Sequence, residues 1–117
     1  MTGARSVITT HVLDTAAGRP AAGVPVRLEQ VDGDGAAEVG RGVTGPDGRV
    51  ARLGPDQLPG GRYRLVFETA AYLAAAGHEP AFYPEVSVLF TVAGQPGEHY
   101  HLPLLLSPFG YSTYRGS

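Results

Sequence analysis

Three histidines, two arginines and a short C-terminal run hold most of the side chains able to move a proton or meet charge on a carbonyl. His11 stands inside an alternating, β-branched stretch where an apolar residue would be ordinary. An imidazole there is either a half-exposed strand residue or a general acid or base aimed into a cleft. His99 and His101 lie two apart, so on one strand they share a face. That spacing also suits a metal. Zinc would need a further ligand, however, and spacing ties neither His11, His78 nor a carboxylate to the pair, so no metal site is expected. Arg49 follows the turn Gly45-Pro46-Asp47-Gly48, and Arg115 lies near the C-terminus. Each is a solvated surface charge or a guanidinium that binds imide-like oxygens and stabilises charge developing on them. Tyr114-Arg115-Gly116-Ser117 gathers a phenol, a guanidinium and a hydroxyl straight after an apolar strand, the pattern of a tail held in a site. His78, in Gly77-His78-Glu79-Pro80, reads as a loop residue. There is no nucleophile elbow, phosphate loop, dinucleotide fingerprint or zinc-protease motif.

These residues need a rigid frame, and the composition suggests which kind. The 17 glycines and 10 prolines among 117 residues fall between apolar runs rather than in one tract, which is the punctuation of a many-turned all-β chain. A single domain over residues 1–117 is expected, large enough to bury a core without staples. The net charge of −2 gives no basic footprint for nucleic acid or an anionic membrane. With no cysteine there are no disulfides and no thiol chemistry. The N-terminal residues carry no apolar signal-peptide core, and the expected location is the cytoplasm.

Taken in order, Val7 to Asp14 reads as a strand with Val7, Thr9, His11 and Leu13 on one face. Residues 15–20 turn the chain, and Val24 to Val31 alternates again, with Val24, Val26 and Leu28 inward. Asp32-Gly33-Asp34-Gly35 is a strong turn signal. Strands over Glu38 to Thr44 and Arg49 to Leu53 flank the Pro-Asp-Gly turn. Tyr63, Leu65 and Phe67 give the clearest period-2 pattern. Thr69 to Gly77 is alanine-rich and predicts one short helix, with Thr69 as N-cap and Gly77 just beyond its C-terminus. Glu85 to Val92, Tyr100 to Ser107 and Tyr111 to Tyr114 supply the last strands. Eight strands and one helix predict an antiparallel two-sheet sandwich.

The run from Leu104 to Ser117, Leu-Leu-Leu-Ser-Pro-Phe-Gly-Tyr-Ser-Thr-Tyr-Arg-Gly-Ser, resembles the C-terminal signature of the 5-hydroxyisourate hydrolases, the transthyretin-like enzymes of purine breakdown. Ile8 to Asp14 with Gly18-Arg19-Pro20-Ala21, Asp47-Gly48-Arg49, and Phe82 to Val86 resemble that family's other motifs, so the likeness spans nearly the whole chain. It implies a transthyretin-like, eight-stranded sandwich with one short helix. It also implies cofactor-free hydrolysis of 5-hydroxyisourate, with His11, Arg49 and His101 as the catalytic set and Tyr114, Arg115, Gly116 and Ser117 at the substrate. Family members are homotetramers with sites at a dimer–dimer interface. The resemblance leaves His99 outside the shared set, as a strand-edge residue, and leaves open which histidine is the base. Transthyretin, a carrier of a small aromatic hormone on the same fold, has other residue types at the three catalytic positions and lacks the ending. A ligand-carrying module is therefore the alternative.

Overall fold

The computed structural model describes residues 7–116. Among the described residues nine strands and one helix follow in the order β1 (Ile8–Asp14), β2 (Arg19–Pro20), β3 (Pro25–Asp32), β4 (Gly35–Val43), β5 (Arg49–Val50), β6 (Gly61–Phe67), α1 (Ala70–Ala75), β7 (Val86–Val92), β8 (Tyr100–Ser107) and β9 (Gly110–Thr113). They form two sheets packed face to face. One runs β2-β1-β8-β9, with β5 also alongside β1, and the other runs β4-β3-β6-β7.

Period-2 burial explains the sandwich. In β1, Ile8, Thr10, Val12 and Asp14 are buried while Thr9, His11 and Leu13 are only half covered. Ile8, Val12, Leu104 and Leu106 of the first sheet share a core with Val26, Leu28, Tyr63, Leu65 and Phe67 of the second. The buried polar groups on this face are paired, as burial demands. The Thr10 hydroxyl donates to the Leu102 carbonyl at 2.6 Å. The Asp14 carboxylate accepts from the Tyr72 hydroxyl at 2.6 Å and from the Ala16 and Ala17 amides, tying α1 to the end of β1. Burial, reinforced by that bond to Asp14, pushes the Tyr72 phenol up to about 12.

The all-β two-sheet sandwich with one short helix is as the sequence predicts, with four differences. First, β2 lies inside the predicted turn: Gly18, at φ +72°, donates its N–H to the Asp14 carbonyl, and this tight return lets Arg19 and Pro20 pair with Asp14 and Leu13. Second, β5 stops at Val50 instead of reaching Leu53. Third, the first sheet is mixed. β1 and β8 run parallel, from Ile8 opposite Tyr100 to Asp14 opposite Leu106. Short turns force antiparallel neighbours, but along the chain these two strands are separated by β2 to β7, which leaves their direction free. Fourth, Thr69 does not cap α1 with its side chain; its hydroxyl donates to the Tyr83 carbonyl, and the Pro84 carbonyl accepts the N–H groups of Thr69 and Ala70. The other end behaves as read: Gly77 (φ +96°) and His78 donate to the carbonyls of Ala74 and Leu73, closing the helix. Among the described residues no helix is long and apolar enough to cross a membrane.

Candidate active site

Side chains at odd positions of β1 point away from the core, onto the outer face of the mixed sheet. Register then decides what they meet. The parallel pairing sets Thr9 opposite His101 and His11 opposite Pro103, and the antiparallel pairing with β5 sets His11 opposite Arg49. Directly opposed residues share a face, so Arg49, His11, Thr9 and His101 line one cavity of about 830 Å³ together with His99, Tyr114, Arg115 and Gly116. Residues almost the full length of the chain apart thus converge on one patch of sheet.

The Pro-Asp-Gly turn fixes Arg49. Gly48 is buried with φ +77°, its carbonyl accepts the Val12 N–H at 2.8 Å, and a Cβ there would lie 2.4 Å from the Val12 carbonyl oxygen. Only glycine lets the turn sit this close to β1. Asp47 Oδ1 accepts the Arg49 N–H at 3.0 Å, so the residue leaves the turn in a defined direction.

The tail closes the opposite side. Beyond β9, Gly116 donates its N–H to the His101 carbonyl at 2.7 Å. A Cβ on Gly116 would stand 2.8 Å from His101 Cδ2, so the bare backbone lies against the imidazole. The Arg115 guanidinium stacks over the Tyr100 ring, 4.5 Å from its centroid, which anchors the tail by a cation–π contact. Ser117 lies outside the described residues.

Two hydrogen bonds organise the histidines. Thr9 Oγ1 lies 2.9 Å from His101 Nδ1 and 3.0 Å from His99 Nε2. Burial disfavours the imidazolium of His101, and Arg49, His11 and His99 add positive potential, so its pKa is lowered below that of a free histidine. A neutral imidazole with one nitrogen engaged by a hydroxyl can take or give a proton at the other. Beside it, a guanidinium can hold a carbonyl oxygen and the charge that forms on it.

The structure therefore brings together His11, Arg49, His101, Tyr114, Arg115 and Gly116, and it adds two residues that the sequence reading left out. His99 faces the cavity alongside His101; the His-x-His spacing carried that signal. Thr9 was readable as sharing a face with His11, but its contact with both imidazoles depends on the β1–β8 register. His78 stays apart, packed edge-on near Phe109 at 6.4 Å. Among the described residues no group of three or more His, Cys, Asp or Glu side chains converges as a metal site would require.

The sequence profile of the HIUase/Transthyretin family matches residues 8–116. A 5-hydroxyisourate hydrolase of Mesorhizobium japonicum is 46% identical over 115 residues, covering 94% of this chain and 91% of the relative. Among solved structures, the Klebsiella pneumoniae 5-hydroxyisourate hydrolase superposes with a TM-score of 0.81 at 39% identity, covering 96% of this chain and 99% of that one. Transthyretin from Sparus aurata gives 0.87 at 34% identity, covering 96% and 97%.

Proposed function

The chain belongs to the HIUase/Transthyretin family, and from that membership we propose that it is a 5-hydroxyisourate hydrolase working in urate degradation. The product is 2-oxo-4-hydroxy-4-carboxy-5-ureidoimidazoline. The observation that carries the reading is the convergence of His11, Arg49 and His101 on one cavity on the outer face of the mixed sheet. The carrier on this fold needs no acid–base groups, whereas ring opening does.

The reaction is addition of water to an amide-like carbonyl followed by loss of the ring nitrogen. His101 or His11 takes a proton from water as its oxygen bonds to the carbonyl carbon. Arg49 holds the carbonyl oxygen and stabilises its negative charge. As the C–N bond breaks, a protonated imidazole returns a proton to the departing nitrogen. General acid–base assistance contributes ~10²–10⁴-fold, and a well-placed oxyanion donor ~10²–10³-fold. Tyr114, Arg115 and Gly116 shape and close the cavity around the substrate, with Ser117 next in line. The step needs no cofactor.

The chain acts as one domain and works in the cytoplasm. The cavity opens on the outer face of a sheet, where one subunit gives a small substrate little enclosure, and in the family four copies meet with their sites between dimers. A homotetramer is the proposed assembly. Light scattering should give the mass of four chains; a stable, fully active monomer would rule the assembly out.

The direct test of function follows freshly generated 5-hydroxyisourate by ultraviolet absorbance against its spontaneous decay. Acceleration at catalytic protein concentration supports the hydrolase. Submicromolar binding of an iodinated thyronine with no such acceleration would favour the carrier instead.

A further inference from the structure

We propose that Thr9 is a positioning residue whose single hydroxyl proton couples the protonation of His101 to that of His99. The proposal rests on the reading of His101 as an acid–base group of the site.

The geometry leaves few arrangements. Thr9 Oγ1 is within 3.0 Å of His99 Nε2 and 2.9 Å of His101 Nδ1. A hydroxyl has one proton to donate, so if it donates to one ring it must accept from the other. Two neutral states satisfy both bonds. In the first, His101 Nδ1–H donates to Thr9, Thr9 donates to His99 Nε2, and His99 carries its proton on Nδ1. In the second, His99 Nε2–H donates to Thr9, Thr9 donates to His101 Nδ1, and His101 carries its proton on Nε2. Both rings therefore adopt the same tautomer. The first state offers the cavity a lone pair on His101 Nε2, and the second offers it an N–H.

The two states are linked by a proton shuttle that balances. When His101 Nε2 takes a proton from water in the first state, its Nδ1 proton passes to Thr9 Oγ1 and the hydroxyl's own proton passes to His99 Nε2. No bond between heavy atoms forms or breaks. The positive charge then resides on His99, and His101 is neutral with an Nε2–H; as that proton goes to the departing nitrogen, the Thr9 hydroxyl proton returns to His101 Nδ1 and the His99 Nε2 proton to Thr9, which restores the first state. His101 shares the cavity with Arg49 from β5, Asp47 from the turn before it, His11 from β1, His99 from its own segment, and Tyr114 and Arg115 from the tail; burial and the positive neighbours disfavour a lasting charge on His101 itself. Conversely, a His99 already protonated by acid can only donate to Thr9, which forces the second state and removes the lone pair from His101. His99 thereby becomes the group through which acid switches off the base.

Thr9→Val keeps the β-branched shape and strand preference but deletes the hydroxyl, and Thr9→Ser keeps the hydroxyl. The first measurement uses ring ¹⁵N shifts, which report tautomer and titration without substrate. In the parent protein and in Thr9→Ser, His99 and His101 should show the same tautomer and titrate in shared macroscopic steps. In Thr9→Val each ring should titrate independently. Opposite tautomers in the parent protein, or titrations unmoved by Thr9→Val, would overturn the proposal even if the enzyme assay succeeds. The second measurement is kinetic: Thr9→Val should lower kcat ~10–100-fold with KM within about threefold, and Thr9→Ser should recover to within about fivefold of the parent. A Thr9→Val enzyme with unchanged kcat would likewise overturn it. Should the chain prove inactive on hydroxyisourate, the ring titrations still decide the coupling by themselves.

Discussion

Alanine at His11, Arg49 or His101 is expected to lower kcat/KM for 5-hydroxyisourate by two or more orders of magnitude in each case, a loss of at least ~2.7 kcal/mol of transition-state stabilisation. The side chains converge on one cavity but leave the core untouched, because they occupy the outer face of the mixed sheet. Thermal melting should therefore shift little, and the loss should be one of rate. His78→Ala, on the aromatic loop away from the cavity, serves as the inert control. The same reading fixes a pH dependence. Burial, with Arg49 and the two neighbouring imidazoles, lowers the pKa of His101, so the neutral form persists into mild acid. If His101 is the base, kcat/KM should fall as pH drops through a value below the ~6.5 of an unperturbed histidine. Near-parent turnover in one alanine variant would remove that residue from the mechanism, and near-parent turnover in both histidine variants would defeat the mechanism as a whole.

Gly48→Ala is expected to damage both stability and activity, although it adds a single methyl group. At φ +77° an alanine pays backbone strain of ~1–3 kcal/mol. The methyl would also stand 2.4 Å from the Val12 carbonyl oxygen and 2.9 Å from Pro20 Cβ. Neither neighbour can yield cheaply, since the Val12 carbonyl accepts the Ala21 N–H and Pro20 belongs to β2. The turn must instead lift from β1, breaking the bond from the Val12 N–H to the Gly48 carbonyl and drawing Arg49 away from His11. Gly33→Ala isolates the strain, because Gly33 has φ +59° but open space around its would-be Cβ. Thermal denaturation should show a clearly larger drop for Gly48→Ala than for Gly33→Ala, and only Gly48→Ala should lose turnover. Equal effects would mean that the close approach to β1 has no functional weight.

How far such a site can be read from sequence differs from residue to residue. Alternation in β1 was sufficient to place Thr9, His11 and Leu13 on one face, because side-chain direction in a strand is a local property. The Pro-Asp-Gly turn announced itself through residues that tolerate only a few backbone conformations, and Arg49 could be placed at its exit. Cross-strand neighbours are not local. Nothing in the spacing of Thr9 and His101 states that they pair, nor that β1 and β8 run in the same direction; that outcome depends on how the chain between them folds and packs on their inner face. Thr69 was misread for a related reason. Its hydroxyl had a local amide available, yet the returning loop offered the Tyr83 carbonyl, and a tertiary partner displaced the local one.

The pairing of β1 with β8 also governs when the protein becomes competent. In the second sheet β3 and β4 are joined by a tight turn, Asp32 opposite Gly35, so this sheet has a local hairpin from which to nucleate. The bond between Thr9 and His101 spans 92 residues, and closing so long a loop is worthwhile only once the core beneath it can receive both strands. During synthesis β1 emerges early and must wait, its edge unpaired, until residues 99–116 have left the ribosome. The exposed strand is a hazard for aggregation in that interval, and the cavity does not yet exist. The cavity thus forms only after β8 has emerged: a molecule interrupted anywhere before β8 has neither His101 nor the strand that holds Thr9 against it.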